Sequence, residues 1–308
     1  MKTNFIRLVI IGTAAFVTLV PSAWAQRQLG TKKGPTSKIY IAEAKGDTQI
    51  LNGDKVYTAR QATVFDAPGT VLETKVGGFD AIVYSNGTGM AIEENTRVEI
   101  NRFMQEPFQP QSNQSADTLN EPSISQSDIY LARGTAGICT SRLVSGSSMN
   151  YSTPQASIKI RGGKISIATT PSETTIDLLE GDITIQVGRL DPGGQLLRPG
   201  ERAVIRASTT DRLPLISITP IPPELLQAVS DRTIIACNAK RTVTFEIIEK
   251  KAGQGLESVA PDFAGPEAPA TNSGAGPAGA TQEIVVKPTV PVQLPINIEI
   301  SPSRLPGS

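Results

Sequence analysis

The sequence predicts an all-β fold of short strands, arranged as a solenoid or a sandwich. Apolar runs rich in β-branched and aromatic residues recur from Ile39 to Ile248, the composition that suits a pleated, half-buried surface. Turn residues stand between them, as in Asn52-Gly53-Asp54 and Asn86-Gly87. Several runs alternate apolar and polar residues, as in Ala156-Ser157-Ile158-Lys159-Ile160, and a period of two gives a strand one dry face and one wet face.

At the N-terminus, Lys2 and Arg7 flank and lead into an apolar run over residues 8–20, followed by Pro21 and the small-residue site Ala23-Trp24-Ala25. This is the pattern of a cleaved signal peptide over residues 1–25. The apolar run is shorter than the roughly 20 residues of a spanning helix. The expectation is therefore a mature chain without a transmembrane span, in the periplasm, at the cell surface or outside the cell. Residues 26–38 are polar and Gly-containing, a flexible lead-in.

The β domain is expected over residues 39–248. Its first strands are read at Ile39-Tyr40-Ile41, Gln49-Ile50-Leu51, Val56-Tyr57, Thr63-Val64-Phe65, Ala81-Ile82-Val83-Tyr84 and residues 98–103. Residues 105–127, dense in Gln, Ser, Asn and Pro, carry too little apolar surface to offset the entropy of ordering and read as an inserted loop. A second set runs from Ile129-Tyr130-Leu131 to Ala203-Val204-Ile205, each strand with one dry side. Pro222-Pro223-Glu224 opens one short helix through Leu225-Leu226-Gln227-Ala228-Val229, with Pro and Glu suited to a first turn. Strands are expected next at Thr233-Ile234-Ile235-Ala236 and over residues 242–248.

Residues 249–283 are dominated by Ala, Gly, Pro, Ser and Thr and read as a disordered linker. Residues 284–308 form an extended segment in which Val290, Val292, Leu294, Ile296, Ile298 and Ile300 alternate strictly with Pro291, Gln293, Pro295, Asn297 and Glu299. Proline cannot donate to a ladder, so this is an edge strand. It is expected to dock on an exposed edge of its own domain, to add to a sheet edge on a partner, or to stay disordered.

Composition removes whole classes of chemistry. The chain has 29 basic and 29 acidic residues and no local basic stripe, so nucleic acid is not an expected partner. It has no histidine, and with it go the commonest general base and zinc ligand. No glycine-rich nucleotide motif is present, so no cofactor is expected. Gly46-Asp47, Gly53-Asp54, Gly181-Asp182 and Gly200-Glu201 are isolated turns and not a converging calcium ligand set, so no metal site is assigned. Glu93-Glu94, Asp177 and Glu180 are the carboxylates an acid/base mechanism would use, but each also reads as a turn or solvent-face residue, and no catalytic residue is assigned. Two cysteines remain. Cys139 and Cys237 are a disulfide permitted by an oxidising compartment, or two small buried hydrophobes on separate strands.

Four segments taken in order resemble the FecR domain. Ala44-Lys45-Gly46-Asp47 with residues 52–59, then residues 76–83 and 85–98, resemble its first half. Tyr151-Ser152-Thr153-Pro154 with Ile160-Arg161-Gly162-Gly163 is similar to its Thr-Pro and Arg-Gly segment, with Gly163 where Thr is commoner. Leu179-Glu180-Gly181-Asp182 and Arg198-Pro199-Gly200-Glu201 are similar to its two later turns. The resemblance covers about residues 39–206. It implies a β-solenoid-like periplasmic module of the kind that envelope signal transducers use to sense a loaded receptor and control a sigma factor. Few residues precede the apolar run here, so an exported relative without the cytoplasmic anti-sigma region is expected. The leading functional expectation is a non-catalytic envelope module that binds a protein partner or senses. A structural envelope or matrix component is the alternative, and a carbohydrate-active β-helical enzyme the third.

Overall fold

The computed structural model describes residues 37–106, 108, 120–187, 191, 193–207, 214–250 and 281–288. The signal peptide, all but the last two residues of the lead-in, and the alternating segment from Val290 to Ile300 lie outside the described residues. Among the described residues, fifteen strands form one connected sheet: β1 (Lys38–Lys45), β2 (Thr48–Asn52), β3 (Lys55–Thr58), β4 (Val64–Asp66), β5 (Thr70–Thr74), β6 (Phe79–Tyr84), β7 (Gly89–Ile92), β8 (Arg97–Gln105), β9 (Ser125–Thr140), β10 (Ser148–Ser152), β11 (Ser157–Thr169), β12 (Glu173–Gln186), β13 (Gln195–Leu197), β14 (Glu201–Arg206) and β15 (Leu215–Pro220). A helix, α1 (Pro223–Lys240), and a two-stranded ribbon of β16 (Val243–Lys250) and β17 (Thr281–Pro288) follow.

Three long strands fold this sheet into two layers. The first half of β9 pairs with β8 and, in parallel, with β10, whereas its second half pairs with β7 and β11. Residues 157–160 of β11 pair with β10 and the end of β12, and residues 163–169 pair with β9 and the start of β12. β12 likewise holds β14 with its first half and β13 with its second. One layer therefore reads β4-β1-β6-β7-β9-β11-β12-β14-β15 and the other β3-β2-β5-β8-β9-β10-β11-β12-β13. Strands that change layers need a bend, and here it falls on glycine. Gly134, Gly163 and Gly181 have φ of 92°, 127° and 101°. A Cβ on Gly163 would overlap the Glu180 carbonyl, and one on Gly181 the Gly162 carbonyl.

Between the layers lies one apolar core of Ile, Leu, Val, Met and aromatic side chains from both. Tyr84 of β6 meets Phe103 of β8 across it, ring centroids 5.2 Å apart. Tyr57 and Phe65 close one end at 5.5 Å. The alternation along β2, β5, β8 and β10 places their second face in solvent, as the sequence pattern implies.

β1, β6 and β7 have no wet face. Residues 39–42, 80–84 and 89–92 are buried on both faces, and the sequence there is a continuous apolar or small-residue run. Such runs mark strands covered on both sides. The cover is α1 and the start of β16: Ala239, Val243 and Phe245 pack on Tyr40, Ala42, Ala81 and Val83. Gly89 sits opposite Cys139 and Ala91 opposite Gly137, a flat pad of small side chains on which the helix rests. A Cβ at Gly137 would stand 2.7 Å from the Arg232 carbonyl oxygen. Cys237 of α1 is joined to Cys139 of the pad by a disulfide.

The helix itself corrects two expectations. The short helix over residues 225–229 and the strand over Thr233-Ile234-Ile235-Ala236 are a single helix from Pro223 to Lys240. It buries Val229, Thr233, Ala236 and Ala239, spaced four, three and three apart, while Ile234 and Ile235 are exposed. A close-packed pad accepts only small residues, so the large β-branched side chains point away and imitate a strand. Differences also occur at boundaries. Ser125–Ser127 and Gln105, placed in the inserted loop by composition, belong to β9 and β8. Glu249 and Lys250 pair with Gln282 and Thr281, so both ends of the expected linker lie in the ribbon.

A Gly137→Val variant should lose about 1–3 kcal/mol in urea unfolding, because the helix backbone must retreat while the disulfide two residues away restrains it.

Candidate functional site

β9 ends at Thr140 and β10 starts at Ser148; residues 141–147 between them cross directly over the glycine bend of β11. Leu143 N donates to the Arg161 carbonyl at 2.9 Å. A Cβ on Gly162 would stand 3.0 Å from Arg142 Cα. The far side of this loop is held by Glu121, which is 4% exposed. Its Oε1 accepts from Val144 N at 3.0 Å and from the Ser147 hydroxyl, and its Oε2 accepts from Ser125 Oγ at 2.8 Å. Ser125 N in turn donates to Ser147 Oγ at 2.9 Å. Burial pushes the Glu121 carboxyl up, and donors from Ser147, Ser125, Val144 and Asn86 oppose that. Glu121 falls within the segment that reads as an inserted loop, where nothing in the local sequence marks it as an anchor.

Between the loop and the β11–β12 bend lies an open groove of about 960 Å³. Met149 and Ile160 lie buried beneath it in the core between the layers, and Gly162, Gly163 and Gly181 add no side chains to its wall. Arg142 projects from the loop, and Lys159 and Arg161 from β11; none has an ion-pair partner among the described residues. On the opposite wall, Glu180 is paired with Lys164 at 2.7 Å, and Asp182 stands beside it. The groove thus offers three cations without an ion pair among the described residues, hydroxyls from Ser145 and Ser148, and the Asn150 amide.

The carboxylates considered for acid/base chemistry are dispersed and engaged. Glu93 pairs with Arg232 at 2.5 Å, fastening α1 to the layer beneath. Glu94 Oε2 accepts from Gly77 N at 2.6 Å. Asp177 receives two bonds from Arg202, at 2.5 and 2.8 Å, and this pairing raises the guanidinium pKa. Among the described residues no group of three His, Cys, Asp or Glu side chains could hold a metal ion. The Thr-Pro segment also has a structural role. Thr153 Oγ1 accepts from Ala156 N at 3.1 Å and from Thr174 Oγ1 at 2.9 Å, while Gln155 Nε2 donates to the Pro171 carbonyl at 2.8 Å. The two turns at that end of the molecule are tied together by these bonds.

A second buried carboxylate is Asp80, on the same side of β6 as Ile82 and Tyr84 and 0% exposed. Burial pushes it up to about 7, with the Thr48 hydroxyl opposing. Neither carboxylate oxygen makes a hydrogen bond of full geometry.

The fold is a two-layer β scaffold with one helix packed on its outer face. The family model described as FecR protein matches residues 70–184, so the stretch from β5 into β12 is a FecR domain. This is narrower than the span of the resemblance read from the sequence, and it includes the β11–β12 bend. No curated protein matches the chain. Among solved structures, two of a protein assigned as an anti-sigma factor from Parabacteroides distasonis ATCC 8503 are similar. At 2.50 Å resolution one shows 13% identity, a TM-score of 0.37 and coverage of 51% of this chain and 62% of its own. The other, at 1.65 Å, shows 14% identity, a TM-score of 0.36 and coverage of 51% and 63%. The chain therefore spans less than two thirds of the length of those proteins.

Two expectations follow from the buried carboxylates. Glu121→Ala strands the Val144 N–H and the Ser125 and Ser147 hydroxyls, and should cost about 1–3 kcal/mol while speeding hydrogen exchange at Val144. Asp80 titrates near 7 when folded against an ordinary 3.8, so between those values the folded state holds a proton the unfolded state has lost. Stability then falls as pH rises from about 4 to about 7. Asp80→Asn should flatten that slope and, in urea unfolding, stabilise the protein at pH 8 relative to pH 5 by up to about 3 kcal/mol.

Proposed function

We propose that this chain is an exported, non-catalytic FecR-like module that binds a protein partner in the periplasm or at the cell surface. The observation that carries the reading is the FecR domain over residues 70–184. Regulation or sensing by protein contact is the role that domain suggests, and the engagement of Glu93, Glu94, Asp177 and Glu180 in structural pairs is in keeping with it.

The contact element in this proposal is the C-terminal alternating segment. Both prolines, Pro291 and Pro295, fall in the polar register. In an extended strand the N–H groups of alternate residues point to opposite edges. The apolar register, Val290 to Ile300, therefore keeps an intact row of donors, while the opposite edge is broken by proline. Such a strand can join one sheet edge and then prevent further addition.

Pull-down from envelope extract with residues 26–308, and with residues 26–288 so that β17 is kept whole, tests this. A specific partner captured by the longer form and lost from the shorter is the expected result. Equal capture by both removes the segment from the contact, and no partner for either defeats the binding role.

A further inference from the structure

Arg142, Lys159 and Arg161 come from positions up to nineteen residues apart and meet around one groove only because the loop after β9 crosses the bend of β11. Cations on a protein surface commonly find a carboxylate, and in this molecule many do. Arg97 and Arg133 share Glu73 with Lys75, Arg202 holds Asp177, Arg206 holds Glu173, and Arg232 holds Glu93. The groove departs from that pattern. Lys164, which lies outside the lining, neutralises Glu180, which leaves three positive charges against the single carboxylate of Asp182 among the lining residues.

The loop that carries Arg142 is also built more firmly than a surface connection requires. A buried glutamate holds its back through the Val144 N–H and the Ser147 hydroxyl and ties it to Ser125 of β9, and its front is hydrogen-bonded to the strand that carries Arg161. Burying a carboxylate is costly unless its oxygens are satisfied, so Glu121 fixes the wall at an energetic expense that ordinary loop packing would avoid. A rigid wall matters where charged groups must be held apart at a set spacing without collapsing on each other. The volume, about 960 Å³, exceeds what a single inorganic ion fills and suits a ligand of several units.

We infer that the groove is a binding site for a ligand bearing oxyanion groups, carboxylate or phosphate, held by Arg142, Lys159 and Arg161. Arginine presents a planar fork to such groups, and two of the three cations are arginine. Asn150, Asp182, Ser145 and Ser148 offer hydrogen bonds to the neutral hydroxyls of the same ligand, and the bare glycine backbone allows close approach. The inference does not rest on the proposed C-terminal contact strand.

Calorimetric titration of residues 26–308 at low ionic strength tests the inference with three probes: inorganic phosphate, an oligogalacturonate, and a neutral galactose oligomer of the same length. Binding of an anionic probe is expected, with affinity falling as salt rises from about 20 to about 200 mM. Phosphate binding alone assigns the site to phosphate groups, and oligogalacturonate binding alone assigns it to acidic sugars. Arg142→Ala combined with Arg161→Ala should weaken either by at least tenfold. Their side chains make no ion pair among the described residues and their backbone bonds survive truncation, so the melting temperature should not move. No binding of either anion, equal affinity in the double variant, or equal affinity for the neutral oligomer would overturn the assignment.

Discussion

Everything in this molecule hangs on the passage of β9, β11 and β12 from one layer to the other. A strand that pairs with different neighbours along its two halves must bend between them, and two such strands side by side must bend at the same level. Gly163 faces Gly181 in the ladder, and each fills the space where the other's Cβ would stand. The close approach leaves no room for a side chain at either position. It also creates the groove. Backbones that pinch together leave a hollow on their outer side, and the loop from β9 to β10 bridges it.

The same arrangement dictates where the helix goes. The layer that contains β1, β6 and β7 continues into the second half of β9, and its outer face is a pad of Gly89, Ala91, Gly137 and Cys139. Small residues make the sheet flat and let a helix approach closely, but they bury little apolar area and so supply little of the roughly 25 cal/mol per Å² that holds packed elements together. The helix compensates with specific ties: the disulfide from Cys237, the ion pair of Arg232 with Glu93, and the bond from Lys240 to the Ser141 hydroxyl. Ser141 opens the groove loop and Glu93 lies in the turn after β7, so α1 is fastened to both ends of the pad.

The strands were readable because their signal is local. Alternation in β10 survives in the structure residue for residue, that in β8 and β11 survives until their register shifts, and turns such as Asn52-Gly53-Asp54 fall where the ladder reverses. The helix was readable only over its first turns, through Val229, and its continuation was not, for a physical reason. Its buried positions hold Thr and Ala, its exposed positions hold Leu and Ile, and a periodicity argument assumes the opposite. The groove was hidden in a different way. Arg142, Lys159 and Arg161 are unremarkable singly, and composition counted them into a neutral balance of 29 against 29. A charge cluster assembled by a strand crossing has no sequence period to reveal it.

Asp80 and Glu121 show how differently two buried carboxylates can be handled within one β scaffold. Glu121 is surrounded by donors, so its burial is offset by hydrogen bonds and yields a fixed wall. Asp80 faces the core with its oxygens unsatisfied, so its environment favours the neutral acid and its burial yields only sensitivity to pH. Donors, not depth, separate the two, since both residues are almost wholly removed from solvent. Glu121 sits where a loop must be positioned over charged neighbours, and Asp80 sits where β6 turns into the core with no loop to hold. A carboxylate kept satisfied at a groove wall is what a binding surface requires of its frame, because any slack there would let Arg142 drift from Arg161 and dissolve the cluster the strand crossing creates.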